Sequence, residues 1–278
     1  APSLKAADIG VAMGTGVDVA KQAADMILAD DNFATIEKAI EEGRGVYENI
    51  RKSVIFLLSS NLGELMTMFV AVAMGLASPL KSSHILWINL ITDSLPALAL
   101  GVDKNDSKSL MRCPPRKASE SLFARGGIAC TLFYGALITV IGLAAFLVLP
   151  CGILAAEGEL VGNPFTWVER LRELMSREQI LAKSQTYAFT VLGMCQLYHA
   201  IGMRDVQKSV FAMSPRDNLL MVAACIIGFI LQFAVTEIPF LIRAFGTSHL
   251  SGQEWLLLSV LAAFPLFAHE VIVLFTKN

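Results

Sequence analysis

The sequence has few charged residues and little excess of either sign. Charged side chains make up 17% of its 278 residues, and the formal net charge is -2. Because the strong positive charge that favours nucleic acid is lacking, we expect no nucleic-acid partner. The five cysteines show no CxxC pairing, which argues against a disulfide framework or a thiolate metal site.

Apolar residues instead make up 55% of the chain and are gathered in long runs. A helix needs about 20 residues to cross about 30 Å of hydrocarbon. Six runs reach or approach this length; they lie near 54–76, 84–102, 127–149, 185–203, 219–238 and 255–275. The sequence therefore predicts a mainly α protein, an integral multi-pass membrane protein whose residues 53–278 form a six-span transmembrane helical bundle in contact with membrane lipid.

Lysine and arginine are distributed unevenly between the connections. Of the 22 such residues, 16 lie in residues 1–52, in 103–126, in 204–218 and at the C-terminal end, and 6 lie in the alternate connections. Because positive charge is retained on the cytoplasmic side of a membrane, we expect both termini to be cytoplasmic.

Residues 1–52 are more polar than the rest and are patterned differently. Short apolar runs at 9–13 and 26–29 flank a stretch rich in small residues, which predicts strand, loop, helix and strand. From about Phe33 the apolar positions roughly follow a 3.6-residue period, and no proline intervenes before Val54. We therefore expect one helix to run from this segment straight into the first span.

Two carboxylates, Glu64 and Asp93, lie inside the first two apolar runs. A charge at the middle of a membrane helix costs roughly 2.5 to 3.5 kcal/mol, so such residues usually face a cavity, a partner or an ion. Asn61 lies three residues before Glu64. Asn89 and Thr92, which are three residues apart, lie just before Asp93. Since residues three or four apart share a helix face, these five side chains could converge at mid-membrane depth.

Pro96 adds a backbone oxygen to this group. Proline has no amide hydrogen, so the carbonyl of Thr92 is left without its helical partner. The helix is therefore expected to kink or loosen beside Asp93. Broken helices at membrane depth are one way in which transporters expose backbone oxygens to cations.

The five side chains offer oxygen donors and no histidine or cysteine. Calcium takes six to eight oxygen ligands in flexible geometry, whereas zinc and copper sites are richer in nitrogen and sulfur. Ca²⁺ therefore fits best, and Mn²⁺ and Na⁺ remain compatible with the same donors. Asparagine and threonine also hydrogen-bond one helix to another in membrane bundles, so a packing role without an ion stays open.

The run SSNLGEL, followed by LWINLITDSLPALALGVD, resembles the fifth and sixth spans of type IIA P-type ATPases, the calcium pumps of sarcoplasmic-reticulum type. The stretch APSLKAADIGVAMGTGVDVAKQAADMILADDNFATI resembles the end of their phosphorylation domain, an α/β domain of haloacid-dehalogenase-like fold. The resemblance implies that residues 1–52 are the C-terminal fragment of that domain with its stalk helix. It also implies that 53–278 form the cation-translocation domain.

The resemblance further implies a role for each polar residue of the first two spans. Asn61 and Glu64 match calcium-ligand positions of the fifth span, and Asn89, Thr92 and Asp93 match those of the sixth. Asp93 stands in the place of the carboxylate that bridges the two calcium sites of the family.

Gln196 stands where the eighth span of two-site pumps has a glutamate. Glutamine keeps an oxygen donor but has no charge, so the site that it would share with Glu64 should be weaker. The resemblance therefore implies one calcium ion per cycle, with a second site still open through Glu64. A helix-packing amide is the alternative interpretation of Gln196.

The sequence contains neither the DKTGT motif that carries the phosphorylated aspartate of the family nor its GDGxND motif. The resemblance implies that Mg²⁺ and ATP bind the missing N-terminal part of the same pump, and that this chain alone does not hydrolyse ATP. The expected function is the translocation portion of an ATP-driven calcium exporter with proton counter-transport, in a bacterial plasma membrane. An ATP-independent cation transporter or channel and a truncated, non-catalytic membrane subunit are the alternatives.

Overall fold

The structure, a computed structural model, describes residues 1–105, 107–117, 119–157 and 164–276. The chain divides into two compact units. The first consists of Ala1–Glu48 and Lys104–Ala118, and the second of Asn49–Asp103 and Ser119–Asn278.

The first unit contains a parallel pair of strands joined by a helix. Its elements before residue 30 are α1 (Pro2–Ala6), β1 (Val11–Met13), α2 (Asp18–Ala23) and β2 (Met26–Leu28). The predicted order of strand, helix and strand is confirmed. Helix α1 was not predicted, because five residues are too few for a helical period to appear in the sequence.

Helix α3 (Ala34–Ala73) is 40 residues long, or about 60 Å at 1.5 Å per residue. It begins one residue after Phe33 and continues through the first apolar run. The prediction of a single helix that extends from the polar segment into this run is therefore confirmed.

Helices make up the remaining regular elements that the structure describes. They are α4 (Ser82–Trp87), α5 (Ser94–Gly101), α6 (Ser107–Arg112), α7 (Gly127–Ala156), α8 (Pro164–Met175), α9 (Glu178–Met203), α10 (Leu219–Glu237), α11 (Pro239–Phe245), α12 (Gly252–Ala262) and α13 (Phe264–Thr276). A π-helical segment, Ile88–Asp93, joins α4 to α5, and two short 3-10 helices, Val210–Ala212 and Pro215–Asp217, precede α10.

Helix α9 forms the centre of the second unit. Every residue from 184 to 197 is buried, and the helix contacts α5, α7, α8, α10, α12 and α13. Because α9 is enclosed by other helices, it does not need an apolar surface toward lipid.

Among the described residues, four helical segments are long and apolar enough to cross a membrane: Ala34–Ala73, Gly127–Ala156, Leu219–Glu237 and Gly252–Phe275. This supports a membrane helical region at four of the six predicted runs. The run near 84–102 is divided by the π-helical segment, and α9 carries Gln185, Gln196 and His199 along its length. Six spans therefore remain a prediction.

Two glycines allow α3 and α7 to approach closely. A Cβ atom at Gly63 would lie 2.5 Å from Cγ2 of Ile138, and one at Gly135 would lie 2.7 Å from Cδ2 of Leu62. Small residues permit this kind of close helix contact in membrane proteins. The contact fixes α3 against α7 beside Glu64.

A buried ion pair joins the ends of α5 and α9. Nη2 of Arg204 lies 3.1 Å from Oδ1 of Asp103, and Nδ2 of Asn218 donates to the same oxygen at 2.9 Å. Nδ2 of Asn49 donates to the backbone carbonyl of Asp103 at 2.8 Å. A buried charge pair is tolerated when further hydrogen bonds satisfy it, so this cluster anchors the end of α5.

Candidate cation site

Glu64 lies inside the helix bundle, with 3% of its surface exposed. Its Oε1 atom accepts a hydrogen bond from Nε2 of Gln196, which is itself fully buried on α9. The structure thus brings together the two residues that were predicted to share a site.

Gln196 also contacts the π-helical segment. The buried hydroxyl of Thr92 lies 3.1 Å from Oε1 of Gln196 and 3.0 Å from the carbonyl oxygen of Ile88. The carboxamide of Gln196 therefore donates toward α3 and can accept from Thr92, so one side chain links the two polar runs.

Asp93 is buried, with 1% of its surface exposed. In the parts of the chain that the structure describes, neither of its carboxylate oxygens has a hydrogen-bond partner. The adjacent residue Thr92 contacts Gln196, which bonds to Glu64, so two side chains connect the segment of Asp93 to Glu64. Burying two carboxylates is costly unless a cation or a proton compensates them, so the geometry favours a positively charged ligand.

Asn61 lies on α3 with Glu64, and Asn89 lies on the π-helical segment with Asp93. The amide of each one bonds to the backbone of its own helix. Nδ2 of Asn61 donates to the carbonyl of Leu57 at 2.7 Å, and Nδ2 of Asn89 donates to that of Ile85 at 3.0 Å. Asn61 is exposed and Asn89 is half-buried. Among the described contacts, neither amide joins Glu64, so their role as ligands remains a prediction.

The backbone widens beside Asp93. The π-helix Ile88–Asp93 ends directly before α5, in which Pro96 is the third residue. Oγ of Ser94 donates to the carbonyl of Asn89 at 2.8 Å. The predicted loosening of this helix is confirmed, and π-helical segments are frequent at functional sites. The Thr92 carbonyl as a ligand remains a prediction.

The donors suit a hard cation. No group of three or more His, Cys, Asp and Glu side chains able to hold a metal occurs within the described ranges. Glu64 and Asp93 supply two charges, and Gln196 and Thr92 add neutral oxygens. Calcium is bound by such oxygen sets, whereas transition metals favour nitrogen and sulfur donors.

Sequence reasoning missed a second contact between α3 and α9. Nε2 of His199 lies 2.8 Å from Oγ of Ser59, and the imidazole is flanked by the rings of Tyr134 and Phe56 at centroid distances of 4.3 and 5.5 Å. The spacing of three residues from Gln196 signals that His199 lies one turn along the same helix. The partner could not be read from the sequence, because Ser59 lies 140 residues earlier.

Sequence reasoning also missed the contact that Gln232 makes with Trp87. Gln232 is fully buried on α10, and its Oε1 atom accepts a hydrogen bond from Nε1 of Trp87 at 3.3 Å. Trp87 directly precedes the π-helical segment, so this contact holds the N-terminal end of that segment. A lone glutamine within an apolar run was the available signal.

Known proteins with similar sequences share this chain's membrane region. The family described as "Cation transporting ATPase, C-terminus" matches residues 77–275. The chain is 45% identical to "Calcium-transporting ATPase 1" of Bacillus cereus over 279 residues, covering 100% of this chain and 30% of the relative. It is 39% identical to "Calcium-transporting ATPase" of Bacillus subtilis, covering 96% of this chain and 27% of the relative. The identity to "Calcium-transporting ATPase 3, endoplasmic reticulum-type" of Arabidopsis thaliana is 33%, covering 100% and 28% respectively. The chain thus spans less than a third of the length of these relatives.

Proposed function

We propose, from the premise that this chain belongs to the cation-transporting ATPase C-terminal family, that it forms the cation-binding and translocation portion of an ATP-driven calcium pump. The names of the relatives support calcium as the transported ion. The apolar helices support a location within a membrane.

The observation that carries the proposal is the burial of both Asp93 and Glu64 in one helix bundle. Both carboxylates are buried, and within the described residues the oxygens of Asp93 have no hydrogen-bond partner. Two negative charges balance one Ca²⁺ ion. Gln196 adds no further charge, which supports the transport of one calcium ion per cycle.

The finer features of the pump are part of the same proposal. Mg²⁺ and ATP would bind to the part of the protein that carries the DKTGT and GDGxND motifs. Once calcium leaves, protons would neutralise the buried carboxylates, which supports proton counter-transport. The pump would export calcium across a bacterial plasma membrane, with both ends of this chain in the cytoplasm.

An ATP-independent transporter or a non-catalytic subunit would use the same intramembrane carboxylates. The sequence encoded upstream of Ala1 separates these functions from the proposed pump. An in-frame DKTGT motif would support the pump, and a genuine start codon near Ala1 would contradict it.

The substitution Asp93→Asn tests the site in the whole protein. Loss of one partner from a buried charged group typically costs about 3 kcal/mol or more, which corresponds to roughly a hundredfold in affinity. We therefore expect Asp93→Asn to abolish calcium-dependent phosphorylation by ATP at calcium concentrations that saturate the wild type.

Asp217→Asn is the matched control, because it removes the same charge from an exposed position outside the site. It should leave the calcium dependence unchanged. Near-normal calcium affinity in Asp93→Asn would contradict the assignment of Asp93 as a ligand.

A further inference from the structure

Two polar contacts connect α3 to α9, and they lie close together. Gln196 bonds to Glu64, and His199, three residues later on α9, contacts Ser59, five residues earlier on α3. Residue numbers rise on one helix as they fall on the other, so the helices run antiparallel at this point. The two hydrogen-bonded contacts are therefore neighbours along the same pair of helices.

The other hydrogen bond of Ser59 indicates which residue donates in the contact between Ser59 and His199. Oγ of Ser59 lies 2.9 Å from the carbonyl oxygen of Phe56, which can only accept a hydrogen. We assign the hydroxyl hydrogen to this backbone contact, which makes the Ser59 oxygen the acceptor and Nε2 of His199 the donor across the 2.8 Å contact.

The imidazole of His199 is held in place by its surroundings. The residue is 1% exposed, and its ring packs against the rings of Tyr134 and Phe56. A ring fixed in this way gives its N–H a defined direction. The contact can therefore set the position of α3 relative to α9.

We propose that His199 is a positioning residue for the cation site, which by donating to Ser59 keeps Glu64 at the level of Gln196. This inference rests on the proposed function, because it assigns His199 a role in calcium binding at the same site. His199 acts through Ser59 and α3, and it does not itself bind the ion.

Substitution of His199 in the whole protein tests the proposal. His199→Phe keeps an aromatic ring between Tyr134 and Phe56 but removes the N–H donor. A hydrogen bond of this kind contributes about three- to tenfold to an equilibrium. We expect the calcium concentration for half-maximal phosphorylation to rise about three- to tenfold, with the maximal phosphorylation per folded protein unchanged.

A conservative variant separates positioning from general packing. His199→Gln keeps an N–H donor at similar reach and should restore the calcium dependence to within about twofold of wild type. Ser59→Ala removes the acceptor and should match His199→Phe. Because both changes remove one contact, the double variant should lose no more affinity than either single variant.

Ser60→Ala is the matched control for Ser59→Ala. Ser60 is the adjacent buried serine, and its hydroxyl has no hydrogen-bond partner among the residues described. It should leave calcium affinity unchanged, and a loss equal to that of Ser59→Ala would overturn the inference. His199→Phe with wild-type affinity, or His199→Gln as weak as His199→Phe, would also overturn it.

The wild-type protein distinguishes this inference from the proposed function. If wild type shows calcium-dependent phosphorylation and the His199→Phe and Ser59→Ala variants match it, only the positioning role fails. If wild type shows no calcium-dependent phosphorylation, the proposed function fails and the role of His199 fails with it.

Discussion

Gln196 shows how one neutral side chain can organise a charged site. Its amide nitrogen donates to Glu64, and its oxygen lies 3.1 Å from the Thr92 hydroxyl. In this arrangement the carboxamide serves the packing role that the sequence left open. To bind a cation, its oxygen would have to give up the contact with Thr92.

We therefore expect Gln196→Ala to weaken calcium binding much less than Asp93→Asn. The loss of neutral hydrogen bonds should raise the calcium requirement for phosphorylation about three- to tenfold. Gln185→Ala is the control, because Gln185 lies on the same helix and bonds to the carbonyl of Ser78, away from the site. If Gln196→Ala abolished calcium dependence as Asp93→Asn should, Gln196 would be an essential ligand.

At the scale of elements, the π-helical segment between α4 and α5 distinguishes this chain from a simple bundle. Its N-terminal end is held by the contact of Trp87 with Gln232, and α5 is anchored beyond its own C-terminal end by Asp103 and Arg204. The loosened backbone at Ile88–Asp93 therefore lies between two fixed points, so Asp93 is held at a defined depth.

Pro96→Ala should disturb this segment. Alanine returns an amide hydrogen to the carbonyl of Thr92, which favours an ordinary α-helical turn and shifts Asp93 from its present position. We expect calcium affinity, measured by calcium-dependent phosphorylation of the whole protein, to fall about tenfold or more, while thermal stability is maintained or increased.

Pro239→Ala is the matched control, since Pro239 begins α11 outside the site, and it should not alter calcium affinity. Unchanged affinity in Pro96→Ala would show that the π-helix does not depend on this proline.

Short sequence patterns predicted some of these elements, but they did not predict the contacts between distant residues. The strand order before residue 30, the length of α3 and the loosening beside Pro96 follow from patterns spanning a few residues, and all three could be predicted. The partner of His199 and the contact of Trp87 with Gln232 could not, because they join residues 140 and 145 positions apart. Their pairing depends on how the helices pack.

At the scale of the molecule, the low hydropathy of α9 hides its position at the centre of the helix bundle. Its residues from 184 to 197 are enclosed by other helices, so its glutamines and His199 face protein, where hydrogen bonds can satisfy them. The interrupted helix Ser82–Gly101 is about 30 Å long at 1.5 Å per residue, enough to cross a bilayer. Both features support two further spans beyond the four apolar segments.

Thiol labelling in intact cells tests the six-span arrangement. With six spans, residues 164–177 and the start of α9 lie outside and residues 103–126 lie inside; with the four apolar spans alone, these two locations are exchanged. In a Cys113→Ser background, we expect Gln179→Cys to react with a membrane-impermeant thiol reagent.

In the wild-type protein, the exposed native Cys113 should react only after the cells are opened. The Cys113→Ser parent gives the background from the remaining cysteines. Labelling of Cys113 in intact cells together with protection of Gln179→Cys would support four spans and contradict six.

The glycine contacts between α3 and α7 limit how the bundle can move. Leu62 lies over Gly135 and Ile138 lies over Gly63, each in a space that a Cβ atom would fill. If the membrane half of α3 slid by one turn, about 5.4 Å, each of these side chains would meet a bulkier neighbour in place of glycine. The glycine contacts therefore oppose displacement of α3 along its axis relative to α7.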